Sequence, residues 1–409
     1  MVVVQVSSTV VFHEYAPEMT SKTSGHLQTA YAVVGDFSKI DKVEYDRTFL
    51  RTLDGGTIGL DVTPPANERI LRDDTPILIV LHGLTGGSHE SYVRAVLAPA
   101  CTPVENGGLG YRGIVVNSRG CAGVPVTSPQ LYSAGHTDDI RVAVLYIAKR
   151  YPEARLLGIG FSLGANILTR YLAEEGKHSR LAAGCAVACP WDLTKNAEQL
   201  ENKWFHRNIY SKAMARNLQR LTARHASSLA TFVENPLPQI LNKVLQSKSI
   251  TLSQFDGAIT RIAGGSSPPF PFETAWDYYA WGSSHEVLAN IRVPFLALNS
   301  EDDPVVQVLP YEAGGSPWVA FAITERGGHL GWFEQSREGQ IRRWVRKPVL
   351  EWLRAAGEDL AVGDEDVRPI IDVDGFLRES GREGIGCQMI EGSEHIIGVE
   401  GEGGLLAGL

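Results

Sequence analysis

Cysteine is scarce in this chain, with five among 409 residues. The number is odd, and the nearest pair, Cys185 and Cys189, sits inside one apolar run. A disulfide scaffold and a zinc site are both excluded on that spacing, leaving thiols of a reducing compartment. Long hydrophobic runs are missing too: no stretch approaches the roughly 18 apolar residues of a membrane span. The N-terminal MVVVQVSSTVVF has neither the basic start nor the long apolar centre of a signal peptide, and reads as a strand or an extended arm. Basic residues are outnumbered, 38 Lys and Arg against 47 Asp and Glu, for a net charge of −9. Phosphate binding needs a basic face, so a nucleic-acid partner is not expected. The expectation is a cytoplasmic protein without a transmembrane segment, with contact to a membrane or lipid-droplet surface left open.

What is present is a globular composition, 44% apolar and 21% charged. The length exceeds the roughly 250–300 residues at which one core stops growing, so an α/β domain with an insertion, or two domains, is expected. Residues 1–75 form a lead-in, with a hairpin from Arg47 to Val62 turning at Asp54-Gly55-Gly56. Residues 76–191 alternate strands with helices. Buried strands are expected at Ile77–Leu81, Gly113–Asn117, Leu156–Gly160 and Leu181–Ala188, with a helix over Thr137–Arg150. That alternation argues a mostly parallel sheet covered by helices on both faces. Residues 192–290 break the rhythm and read as a helical cap insertion. Residues 291–356 resume it, with strands at Pro294–Leu298 and Trp318–Ile323 and a helix from about Ser336 to Ala356. The tail, 357–409, is acidic and Gly-rich, and is expected to wrap the surface or to be partly disordered.

Gly160-Phe161-Ser162-Leu163-Gly164 fits G-x-S-x-G, directly after a buried strand and before a helix over Ala165–Ala173. A serine on such a turn has its Oγ exposed above the sheet, and glycines on both sides let neighbouring chains approach. A hydroxyl needs a base, and the base an orienting acid, which follow in the order Ser, Asp or Glu, His. His329, in Gly327-Gly328-His329-Leu330-Gly331-Trp332, is the histidine in the correct order and place. For the acid Asp303, ahead of a turn-fixing Pro304, is favoured over Asp302 and Glu301, with Asp192 a minor alternative. The loop starting at His82-Gly83-Leu84 offers backbone N–H groups, so Leu84 and Leu163 are the expected oxyanion donors. His82 is expected to shape that loop rather than transfer protons.

Together these pieces resemble the α/β-hydrolase superfamily, and within it the AB hydrolase 4 family, which includes fungal medium-chain ester synthases/esterases. The resemblance rests on Gly25-His26-Leu27-Gln28-Thr29, HGLTGGSHESYVR from His82, NSRGCAG from Asn117, HTDDIR from His136, GFSLGAN from Gly160, AWDYY from Ala275 and the segment around His329. It implies an α/β-hydrolase fold, with Ser162 as nucleophile, Asp303 as acid and His329 as base. His26 and the Asp138-Asp139 pair read as structural.

The expected activity is serine-dependent cleavage or transfer of a carboxylic ester or thioester through an acyl-enzyme. A medium-chain or other apolar acyl group is expected, and no cofactor or metal is needed. Trp204, Phe205, Trp276, Tyr278, Tyr279 and Trp281 in the insertion are candidate walls of an acyl pocket, or pack the insertion onto the main domain. The competing readings are a hydrolase or cyclase dedicated to one complex, polyketide-like metabolite of secondary metabolism, and a non-catalytic receptor on the same fold.

Overall fold

The computed structural model of the chain describes residues 24–311, 316–335, 339–360 and 367–397. The N-terminal arm suggested by MVVVQVSSTVVF lies outside them. Among the described residues eleven strands form one sheet. Its parallel part contains β3 (Ile77–Leu81), β4 (Arg112–Asn117), β5 (Leu156–Phe161), β6 (Ala183–Val187), β7 (Phe295–Ser300) and β8 (Val319–Thr324). The hairpin of β1 (Glu44–Thr52) and β2 (Thr57–Thr63) joins β4 antiparallel, in the spatial order β1-β2-β4-β3-β5-β6-β7-β8. β3 to β7 are buried along their whole length, so each reads as a continuous apolar run rather than an alternation.

Helices cover both faces. Helix α1 (Gly25–Val34) precedes the sheet. Helix α2 (Ser91–Cys101) buries Tyr92, Val93, Val96 and Leu97 on one face. On the other face lie α3 (Asp138–Arg150), with its stripe Ile140, Val144 and Ile147, and α4 (Leu163–Glu175). Asp138 and Asp139 in the first turn of α3, and Lys149 and Arg150 in its last, complement the helix dipole. Between β6 and β7 the chain is helical, with α5 (Leu193–Asn202), α6 (Lys212–Arg224), α7 (Leu237–Gln246) and α8 (Ala275–Gly282). No helix among the described residues is long and apolar enough to cross a membrane.

Two expectations are corrected. The helix placed from about Ser336 starts only at Arg346: Ile341–Arg343 (β10) pairs with Phe333–Gln335 (β9), and α9 spans Arg346–Arg354. Trp344 and Val345 are buried, as the periodicity required, but ahead of the helix. The tail is not a wrap over the surface as far as Ile397. β11 (Ile370–Val373), β12 (Phe376–Glu379) and β13 (Arg382–Ile397) extend the sheet beyond β1, with Glu44 opposite Ile397 and Thr52 opposite Cys387. Edge pairing satisfies the backbone whatever the side chains, so a polar, Gly-rich segment can be strand without an apolar signature.

Candidate active site

Ser162 stands between β5 and α4 with φ 50° and ψ −118°. A left-handed φ is costly for any side chain and persists only where the surroundings enforce it. Here the N–H of Ser162 donates to Val187 O at 2.9 Å, tying the turn to β6. The flanking glycines are required: a Cβ on Gly160 would lie 2.4 Å from Gly164 O, and one on Gly164 would lie 2.4 Å from Leu81 O. The turn can therefore sit hard against the ends of its neighbours, with the hydroxyl above the sheet.

The ends of β7 and β8 bring two further groups to that hydroxyl. His329 Nε2 is 2.9 Å from Ser162 Oγ, and its Nδ1 is 2.7 Å from Asp303 Oδ2. A carboxylate only accepts, so Nδ1 carries the proton and Nε2 is free to accept from the serine. The other oxygen of Asp303 accepts the N–H groups of Val305 and Val306 at 2.7 and 2.9 Å, which fixes the carboxylate. Asp302 points elsewhere, accepting from Ser300 Oγ and the Gly328 N–H at 2.7 and 2.9 Å. Glu301 is exposed, and Asp192 caps α5 through the Lys195 N–H at 2.9 Å.

The loop after β3 faces the same place. Its Gly83 N–H donates to Tyr92 Oη at 2.9 Å and its Thr85 N–H to Tyr132 Oη at 2.8 Å, with Leu84 between them. The N–H of Leu163 lies at the start of α4, outside the helix's own ladder. His82 Nδ1 donates to Gly83 O at 2.7 Å and Nε2 accepts the Ser118 N–H at 3.1 Å. Burial pushes its pKa down to about 4, so it is a neutral brace for the loop.

Residues 76–335 match the family model described as alpha/beta hydrolase fold. The chain belongs to the α/β-hydrolase family. It is 34% identical over 377 residues to a monoacylglycerol lipase of Saccharomyces cerevisiae, which covers 83% of this chain and 80% of that protein. It is 30% identical over 391 residues to the medium-chain fatty acid ethyl ester synthase/esterase 2 of the same yeast, covering 80% of this chain and 83% of that one. To the human phospholipase ABHD3 it is 31% identical over 299 residues, covering 71% and 68%.

In this α/β-hydrolase Ser162 opens into a pocket of about 700 Å³, its mouth included. Leu84 and Leu163 line it, and Leu193, Leu200, Met214, Leu218, Leu252 and Val305 supply most of the apolar wall. The aromatic candidates divide. Tyr278 and Tyr279 line the pocket. Trp204 does not: it is 77% exposed, and neighbouring Phe205 packs edge-on against His26. Trp276 is also exposed. Trp281 packs on Phe270 and Phe272 and under the Arg170 guanidinium, where it holds the insertion to α4. Composition marks a segment as aromatic, but which face each ring takes depends on helix phase and packing. Among the described residues no three His, Cys, Asp or Glu side chains gather so as to hold a metal ion.

Two features had no functional reading in the sequence. Thr29 on α1 accepts the backbone N–H of His329 at 2.8 Å, and Gln28 Oε1 accepts that of Phe333 at 3.0 Å. Asp256, 6% exposed, lies in the pocket wall. The motif around Thr29 was visible, but its partner lies 300 residues away.

Proposed function

We propose that the chain is a serine carboxylic ester hydrolase with Ser162 as nucleophile, His329 as base and acid, and Asp303 as the orienting carboxylate. The observation that carries the reading is the hydrogen-bonded chain Ser162–His329–Asp303 at the foot of an apolar pocket. Lipase, esterase and phospholipase names among the relatives support ester cleavage as the reaction class.

Ser162 Oγ attacks the ester carbonyl as His329 Nε2 takes its proton. The carbonyl π electrons move to oxygen, and the oxyanion is held by the N–H groups of Leu84 and Leu163. Collapse breaks the bond to the alcohol oxygen, which leaves with the proton from Nε2. Water then attacks the acyl-enzyme by the same route, and the acid is released. Asp303 holds the Nδ1 proton and stabilises the imidazolium. Each oxyanion donor is worth about 10²–10³ in rate. An alcohol in place of water would give a new ester, and the family relative named for ester synthesis makes this the second reading. The segment 192–290 acts as the cap that closes the acyl pocket, while residues 76–191 and 291–356 supply the catalytic scaffold. The exposed Leu27, Trp204, Phe205 and Ile209 beside His26 form an apolar fringe suited to a lipid surface.

The test compares wild type with Ser162→Ala on a medium-chain p-nitrophenyl ester, with and without ethanol, quantifying free acid and ethyl ester. Free acid from wild type and none from the variant is the expected result. Serine-independent turnover would overturn the assignment, and dominant ethyl ester would replace hydrolase with transferase.

A further inference from the structure

The pocket lined by Ser162 is mostly apolar, with Ser133, Asn196 and Tyr132 as neutral polar spots and Asp256 as its one carboxylate. Residues 256–260 form a widened helical turn with Asp256 and Thr260 on one face, and both line the pocket. Thr260 Oγ1 donates to Asp256 Oδ1 at 2.5 Å, and Tyr279 Oη donates to Asp256 Oδ2 at 2.7 Å. Each carboxylate oxygen has two lone pairs, so one on each remains after these bonds. No Lys, Arg or His answers the charge of Asp256 among the described residues. A role confined to tying the cap together would be met more cheaply by a neutral amide, because an unpaired buried carboxylate is costly. The two hydroxyls spend their protons on Asp256, so the cluster presents acceptors to the cavity.

We propose that Asp256, with Thr260 and Tyr279, is a subsite that receives a hydroxyl on the acyl chain, and that the preferred substrate is a hydroxylated acyl ester. This rests on Ser162 being the nucleophile of the same pocket. The acyl portion is the part concerned, because the alcohol departs in the first step while the acyl group stays bonded to Ser162 inside the lined cavity. A hydroxyl suits the site better than an ammonium. An ammonium must be stripped of water and carried past a mostly apolar wall, whereas a neutral hydroxyl loses little on entry and is satisfied by one strong bond to the carboxylate.

The experiment is a competition of p-nitrophenyl decanoate against its monohydroxylated isomers, with the hydroxyl moved along the chain and the lactone-forming positions omitted. An amino-substituted isomer is included. Wild type, Asp256→Leu and Asp256→Asn are compared by kcat/KM ratios, with Ser162→Ala as the blank. One hydroxyl position is expected to be favoured over the unsubstituted chain by about tenfold or more. That ratio is expected to collapse in Asp256→Leu and to fall in the near-isosteric Asp256→Asn. Ratios report the subsite and not folding, because a loosened cap would slow all isomers together. No favoured position in wild type, a preference that survives both substitutions, or a preference for the amino isomer would overturn the proposal. Serine-independent turnover would instead overturn the hydrolase reading on which it rests.

Discussion

The backbone N–H of His329 donates to Thr29 Oγ1 at 2.8 Å, and Thr29 in turn donates to Gly25 O at 2.7 Å, one turn earlier in α1. Gly25 is packed so closely on the loop of the acid that a Cβ there would fall 1.8 Å from Asp302 O. One helix at the start of the described chain thus holds the loops that carry both Asp303 and His329. Thr29→Val keeps the shape and removes the acceptor, leaving a buried N–H unsatisfied. We expect kcat to fall about tenfold with KM little changed, and Thr29→Ser to restore most of it. Steady-state kinetics on a p-nitrophenyl ester checks this; a rise in KM at constant kcat would assign Thr29 to substrate binding instead.

Asp302 and Asp303 are adjacent, yet only Asp303 reaches the His329 ring, while Asp302 holds the Gly328 N–H. Asp303→Asn should lower kcat by about 10⁴, since the amide no longer fixes the imidazole tautomer. Asp302→Asn should cost about tenfold by loosening the loop. The reverse order of losses, measured on the same ester, would move the role of the acid to Asp302.

The elbow is legible in the sequence because its geometry leaves no room for a side chain at the two flanking glycines. Gly160 and Gly164 mark where chains nearly touch, and Pro304 marks the turn in which Asp303 accepts two N–H groups. The pocket is less legible. Trp204 and Tyr279 look alike as insertion aromatics, and only packing decides that one is exposed while the other faces Ser162's cavity. The C-terminal strands are hidden for a different reason. β13 is held to the core by Arg382 on Glu175, and burial, which alone would raise the Glu175 pKa, is outweighed by Arg141 and Arg382. Such an ion-pair link joins residues 207 positions apart and has no local signature.

If the apolar wall is the acyl site, filling it should shorten the preferred chain. Leu218 lines the pocket and Trp204 does not. Leu218→Trp is expected to lower the decanoate-to-butyrate ratio of kcat/KM by about tenfold. Trp204→Ala should leave that ratio within about twofold. An unchanged ratio in Leu218→Trp would place the acyl chain outside this cavity.

Asp256 also sets a pH dependence of stability. Burial raises its carboxyl from 3.8 to about 6, although Thr260 and Tyr279 pull it the other way. An acid raised on folding binds more protons in the native state than in the unfolded one across that interval, so stability falls as pH rises through it. The cost reaches at most about 3 kcal/mol once the native group is ionised, from 1.36 kcal/mol per unit. Asp256→Asn cannot ionise and escapes it. Measured against wild type, the variant's melting temperature should therefore gain as pH is raised from below 3.8 to above about 6. A difference that stays constant across that range would mean that Asp256 titrates at the ordinary carboxylate value, and its isolation from any cation would then carry no energetic penalty for the hydrolase to recover from a bound hydroxyl.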